Sequence, residues 1–244
     1  MLTETHAIIL HKQDFKENEA ILTTYCEELG RVNFILYGAN SKRAGKRQSY
    51  LQPLSLVVII ADVRPNRPLQ VVKSIRSDMP LTHLLSDPYK STTALFIAEF
   101  LMHSLRTSER DKGLFLFLKE TILWLELCDT GSVCNLHIAF LTRLSVFMGF
   151  TPNLGPVVHH FEYFDLSQSE YIRYARSGGE TIDSGQQTFL RSLLRINYRN
   201  MGLFHFSRTE RNELIDRIVR YYQLQIQGFG ELRTLDILHT VFDF

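Results

Sequence analysis

Four cations stand within six residues, with no acid among them: Lys42, Arg43, Lys46 and Arg47. Positive charges this close repel one another, and phosphate groups relieve that repulsion while releasing counterions. Tyr37 and Tyr50 flank the segment, and aromatic rings are the faces on which unpaired bases stack. The spacing therefore predicts a site for single-stranded DNA. A solvated surface loop without a ligand is the alternative.

The net charge of the chain is only +1, but the charges are unevenly distributed. Residues 31–76 contain nine basic residues and one acid, whereas residues 77–188 contain eight basic and thirteen acidic residues. Such asymmetry is the electrostatic sign of a nucleic-acid binder when the total is near zero. The predicted DNA-binding residues are Arg31, Tyr37, Lys42, Arg43, Lys46, Arg47, Arg64, Arg67, Lys73 and Arg76.

Arg191, Arg195 and Arg199 form a second candidate. They are spaced four apart, so they share one face if a continuous helix carries them. That face predicts a second phosphate track or a seat for an acidic peptide. A solvated helix face paired with neighbouring acids is the alternative.

Other reactive residue types lack partners at a useful spacing. The sequence has three cysteines, none of them in a CxxC pair. His137 and His159-His160 match no zinc pattern. Neither GxSxG nor a Walker or GxGxxG loop is present. We therefore expect no metal, no cofactor and no catalytic residue. Free thiols, and the lack of any apolar run of membrane-spanning length, favour the cytoplasm.

The elements that must position these residues change character near residue 80. Before it, β-branched and aliphatic runs separated by turn residues predict a small five-stranded barrel or sandwich. The predicted strands are Thr5–Lys12, Ala20–Cys26, Arg31–Tyr37, Leu54–Val63 and Leu69–Ile75.

After Pro80 the apolar residues repeat at helical spacing. The predicted helices begin near Pro88, cover Leu114–Leu127, Val133–Met148 and Gln186–Asn197, and start again at the Ser207–Glu210 capping box. Two short strands are expected on either side of residues 167–169. The sequence thus predicts an α+β chain with two domains. These are an OB-fold barrel over 1–80 and a helical domain over 81–244, with a hairpin insertion at about 155–180.

Seven stretches resemble the RecO family in the order of its elements. They are Ala7–His11, Asp14–Thr23, Glu28–Asn40, Leu51–Val57, Phe147–Leu154, Tyr221–Phe229 and Leu232–Leu238. The resemblance implies a non-enzymatic protein of DNA repair and recombination that binds single- and double-stranded DNA and anneals complementary strands. It also implies action with RecR, and with RecF, in loading RecA, and docking of the tail of single-strand-binding protein (SSB).

The chain departs from the family at one place. Many relatives carry a four-cysteine zinc module just after the stretch matched by Thr151–Leu154, whereas no cysteine follows Cys134 here. A metal-free hairpin is expected instead, which puts partner contacts made through the zinc module in doubt. Two other classes stay open: an adaptor whose basic barrel binds acidic peptides, and a nuclease, for which no carboxylate cluster is apparent.

Overall fold

The computed structural model describes residues 1–39, 48–105, 109–151, 163–175, 180–183 and 195–242. The chain divides into two compact units. The first contains Met1–Cys128 and Leu232–Val241, and the second contains Asp129–Glu231 and Phe242–Phe244. Within the described ranges, no helix combines the length and apolar character needed to cross a bilayer.

The first 77 residues contain five strands, as the sequence predicts. They are β1 Leu2–Lys16, β2 Glu19–Cys26, β3 Gly30–Tyr37, β4 Leu56–Asp62 and β5 Gln70–Ser77. They close into a barrel in the order β1-β2-β3-β5-β4. All pairs are antiparallel except β3 with β5. This is the OB-like barrel that the strand pattern indicates.

Alternation along the strands builds the core of the barrel. In β3, Phe34 and Leu36 are buried in the interior, whereas Asn33 and Tyr37 are exposed. β1 is long enough to pair with β4 along its first half and with β2 along its second half. Because the barrel is closed, its strands leave no open edge.

The helices, in chain order, are α1 Thr82–Ser86, α2 Pro88–Ser104, α3 Lys112–Leu127, α4 Thr130–Phe147, α5 Arg208–Gln225 and α6 Thr234–Val241. The side chains of Asp87, Asp111 and Asp129 accept hydrogen bonds from backbone N–H groups at the starts of α2, α3 and α4. Ser207 and Glu210 form the predicted capping box at the start of α5. Polar caps therefore fix where these helices begin.

The second unit contains α4, α5 and a small sheet. The sheet is formed by β6 Tyr163–Asp165, β7 Glu170–Ile172 and β8 Thr181–Asp183, in the order β7-β6-β8. The first two strands are those expected of the hairpin insertion, and β8 adds a third that the sequence analysis missed. Residues 155–162 of the predicted insertion lie outside the described residues.

The compact units follow a different division from the predicted domains 1–80 and 81–244. α1, α2 and α3 cluster with the barrel, and α6 joins them from the far end of the chain. The side chain of Glu99 in α2 accepts hydrogen bonds from the N–H groups of Arg233 and Thr234, at 3.0 and 2.8 Å. A carboxylate at the start of α6 thus fixes this helix against α2.

Candidate nucleic-acid interface

Strand register brings two segments together at one end of the barrel. Lys16 is opposite Glu19 across the β1–β2 turn, and Glu19 is opposite Tyr37 at the end of β3. Ile35 in β3 lies beside Val71, the second residue of β5. The β1–β2 turn and the end of β3 therefore form one surface, called here the loop end, and Lys73 of β5 lies beside it. Because β3 and β5 are parallel, the β4–β5 loop, which precedes β5, lies toward the start of β3. In OB folds, strands 2–3 and the loops between strands 1 and 2 and between strands 4 and 5 are where oligonucleotides bind.

Two aromatic rings are exposed at the loop end. Tyr37 is 53% exposed and Phe15 is 50% exposed. The Nζ atom of Lys16 lies 5.5 Å from the centroid of the Phe15 ring. Exposed rings of this size offer faces on which bases can stack. The sequence analysis missed Phe15 because residues 14–18 were predicted to form a polar turn, whereas β1 continues to Lys16.

The β4–β5 loop contributes Arg64 and Arg67, both exposed. The Nη2 atom of Arg64 lies 3.0 Å from Oδ2 of Asp62. Hydrogen bonds from the Met1 ammonium group and from Arg64 lower the pKa of Asp62. Asp62 therefore stays ionised and holds Arg64, so part of the positive charge of this arginine is already neutralised.

Lys73 is exposed because β5 alternates between buried and outward side chains, with Gln70 and Val72 buried. The pairing of β4 with β5 is irregular at this residue, since Ala61 pairs with Val72 and Ile60 with Ser74. Tyr37 and Lys73 each lie two residues beyond the neighbouring pair Ile35 and Val71. Among the described residues, neither Arg67 nor Lys73 has an acidic side chain within ion-pair distance. These two cations are available to phosphate.

The four cations of the basic segment, Lys42, Arg43, Lys46 and Arg47, lie outside the described residues. The residues that flank it are held at the loop end. The Nε2 atom of Gln48 donates to the carbonyl of Ala39 at 3.1 Å, and the N–H of Ala39 donates to the carbonyl of Asn18 in the β1–β2 turn at 3.1 Å. Ala39 and Gln48, the described residues on either side of the basic segment, thus lie at the loop end.

Arg31 and Arg76 lie elsewhere on the barrel. The Nη1 atom of Arg31 donates to the carbonyls of Met102, at 2.9 Å, and of Leu105. These carbonyls end α2, so Arg31 fixes a helix end to the barrel. Arg76 lies 3.5 Å from Glu4. Arg31 is six residues along β3 from Tyr37, about 20 Å. Because both arginines already have partners, we leave both out of the interface.

The described residues of the second predicted basic face do not support that prediction. Arg191 lies outside the described residues, and the predicted helix does not reach Arg195 or Arg199. The side chain of Asn197 accepts from the N–H of Asn200 at 3.2 Å, and the side chain of Asn200 accepts from the N–H of Asn197 at 2.7 Å. These bonds compete with helix and close a turn. The prediction of a helical face shared by Arg195 and Arg199 is therefore wrong.

Metal ligands are not brought together in the described part of the chain, where no group of three or more such side chains converges. His159 and His160 lie outside that part. The zinc module implied by the resemblance does not fit this sequence, because no cysteine follows Cys134. Burial raises the pKa of Cys26 to about 12, which keeps its thiol protonated and unreactive.

Comparisons with known proteins agree with this architecture. The family model "Recombination protein O N terminal" matches residues 1–77, and "Recombination protein O C terminal" matches residues 85–235. The chain is 37% identical over 244 residues to the DNA repair protein RecO of Bacteroides fragilis, covering all of both chains.

Two further relatives give the same result. The DNA repair protein RecO of Phocaeicola vulgatus is 34% identical over 242 residues, which cover 99% of this chain and all of the relative. That of Azobacteroides pseudotrichonymphae is 33% identical over 243 residues, covering all of both chains. With both halves matched in order over an OB-like barrel and a helical region, the chain belongs to the RecO family of DNA repair and recombination proteins.

Proposed function

We propose that this protein binds single-stranded DNA across its barrel, at the loop end and along the β4–β5 loop. Arg67 and Lys73 neutralise phosphates, and the rings of Tyr37 and Phe15 stack on bases. The observation that carries the proposal is that exposed rings and Lys73, which has no acidic partner among the described residues, occur together at the loop end. The β4–β5 loop adds Arg67, and both loops belong to the region where OB folds bind oligonucleotides. The basic segment, residues 42–47, is part of the proposal because the described residues on either side of it, Ala39 and Gln48, are held at the loop end.

In this proposal the protein also binds double-stranded DNA and anneals complementary strands, without catalysing a reaction and without a cofactor. Together with RecR, and with RecF, it helps RecA to load on DNA coated by SSB. Docking of the SSB tail raises the local concentration of the protein on that DNA. Membership of the RecO family supports these roles, which place it in the cytoplasm with the nucleoid.

The test is binding of a labelled oligothymidine strand, followed by fluorescence anisotropy over a series of salt concentrations. Combined Arg67→Ala and Lys73→Ala should weaken binding and reduce the salt slope by about 0.7 for each phosphate contact removed. Replacing Lys42, Arg43, Lys46 and Arg47 together by alanine should flatten the slope further. Thermal stability should change little, because the side chains of Arg67 and Lys73 are exposed.

The matched control removes two cations from another part of the first unit. Arg110 and Lys112 pair with Glu28 and Glu27, at 2.7 and 3.4 Å. Alanine at both positions should leave the salt slope unchanged. Equal losses in the two variants would show that net charge, and not the loop end with the β4–β5 loop, sets the affinity. Failure of the unaltered protein to retain any oligonucleotide at low salt would favour the acidic-peptide adaptor.

A further inference from the structure

The β4–β5 loop is fastened to the barrel by one buried side chain. Gln70 begins β5 and is 7% exposed. Its Oε1 atom accepts a hydrogen bond from the N–H of Arg64 at 2.8 Å. Its Nε2 atom donates to the carbonyls of Arg64 and Arg67 at 3.0 and 2.7 Å. A single amide thus makes three hydrogen bonds to the loop that carries both arginines.

These three bonds require both the donor hydrogens and the acceptor oxygen of an amide, and a carboxylate of similar shape does not supply both. An amide has an acceptor oxygen and two donor hydrogens, and here each faces a group of opposite kind. A glutamate at position 70 would turn acceptors toward the two carbonyls. The loop is restricted further by Pro65 and Pro68, whose rings fix φ, and by a turn in which Arg67 N–H donates to the Arg64 carbonyl at 3.1 Å.

We infer that Gln70 is a positioning residue of the DNA interface, which holds the β4–β5 loop in its binding conformation before DNA arrives. The inference rests on the proposed function, since it concerns how Arg64 and Arg67 meet phosphate. A loop that is already ordered loses little conformational entropy on binding. Without Gln70 the same arginines are present, but the loop loses more conformational entropy when it binds DNA, and the affinity is lower.

The test replaces Gln70 by methionine, which keeps the length of the side chain and removes all three hydrogen bonds. We expect binding of oligothymidine to weaken about fivefold to tenfold, with an unchanged salt slope, because the number of phosphate contacts stays the same. Hydrogen exchange should show faster exchange at the N–H groups of residues 64 and 67. A loss of affinity with a reduced slope would overturn the inference, since it would mean that contacts are lost.

A double-mutant cycle separates positioning from a general loss of structure. In a protein that already carries Arg64→Ala and Arg67→Ala, the change Gln70→Met should have no further effect on affinity, because Gln70 acts through those arginines. An additive loss in this background would contradict the inference. If the unaltered protein binds no oligonucleotide, the proposed function fails instead, so the two failures are distinguishable.

Gln225→Met is the matched control. Gln225 also donates through Nε2 to two loop carbonyls, those of Leu166 and Ser167, at 2.9 and 3.1 Å, but it lies in the second unit. Its replacement should leave the affinity for oligothymidine unchanged. If Gln70→Met and Gln225→Met weakened binding equally, a specific role for Gln70 would be excluded.

Discussion

The two sheets of this molecule are stabilised in different ways. The barrel closes around its own apolar interior, where Leu22 and Phe34 are fully buried. The small sheet has three strands of three residues each, too short to enclose a core. Its support comes from α5, where Gln225 holds the β6–β7 turn, and the Nε atom of Arg220 lies 2.6 Å from Oε1 of Glu180.

A sheet with its own core tolerates the loss of outside contacts, whereas a sheet without one depends on them. Tyr221 in α5 is the clearest example, because its hydroxyl lies 2.6 Å from Oγ of Ser169 and donates to the carbonyl of Phe150. We therefore predict that the barrel is destabilised most by changes in its apolar interior. The small sheet should be destabilised most by changes at its contacts with α5.

The largest effect is expected for Phe34→Ala in the barrel. Removing a fully buried ring should lower the free energy of unfolding by about 3–5 kcal/mol. Trp124, the only tryptophan, lies in α3 of the first unit, so its fluorescence during urea unfolding measures the stability of that unit. Phe164→Ala in β6 is the control, and an equal shift of the tryptophan transition in that variant would refute the comparison.

Tyr221→Phe should have a smaller and local effect. Loss of its hydrogen bonds should cost the small sheet about 1–2 kcal/mol, measured as faster hydrogen exchange in residues 163–175 and 180–183. Tyr222→Phe is the matched control, because the Tyr222 hydroxyl donates to the carbonyl of Leu141 in α4, at 2.7 Å. If both variants loosened the sheet equally, support from α5 would not be specific to Tyr221.

The barrel also makes polar contacts outside its core, and pH tests how much they contribute. Asp78 lies 3.2 Å from His6 in β1 and 3.1 Å from Lys119 in α3. Burial raises the pKa of Asp78, but the hydrogen bond and charge of Lys119, with those of His6, outweigh it and lower the pKa.

A carboxyl with a lowered pKa in the folded state stabilises that state above its unfolded pKa of about 3.9, and the stabilisation is lost as the pH falls through the folded value. Asp78→Asn should therefore reduce stability by up to about 1 kcal/mol at pH 7 and make the tryptophan transition less sensitive to pH between 5 and 2. A loss at pH 7 as large as that of Phe34→Ala would show that outside contacts, too, decide the stability of the barrel.

The smallest effect is expected for a change in the surface charge of the barrel. Asp62→Asn should release Arg64 and tighten binding of oligothymidine about two- to fourfold, the range of an exposed ion pair. Glu4→Gln, which frees Arg76 near the other end of β5 from the β4–β5 loop, should change the affinity less. Equal tightening in both variants would indicate that the whole barrel surface, and not the β4–β5 loop, attracts DNA.

The sequence predicts those features that depend on neighbouring residues. The β-branched and aliphatic runs of the strands and the capping box at Ser207 are local patterns, and the five strands and the cap are confirmed. β8 was missed because a strand of three residues has too short a pattern. The contact of Arg31 with the end of α2, 71 residues away, was also missed because it exists only after the chain folds.

The candidate site, too, could be predicted only where the signal lies in residue type, and not where it depends on contacts formed by folding. Tyr37, Arg64, Arg67 and Lys73 are predicted by residue type. Tyr37 and Lys73 lie at the loop end, whereas Arg64 and Arg67 lie in the β4–β5 loop. The role of Gln70 could not be predicted, since a glutamine beside a strand looks like any polar residue until its amide is seen to meet three backbone groups.

The position of α6 has a consequence for synthesis of the chain. Residues 232–241 complete a unit that begins at residue 1, although residues 129–231 belong to the other unit. During translation the barrel and α1–α3 emerge before α6, and residues 129–231 must be synthesised before α6 can pack on α2. The first unit can therefore be completed only after the intervening segment of the second unit has been made.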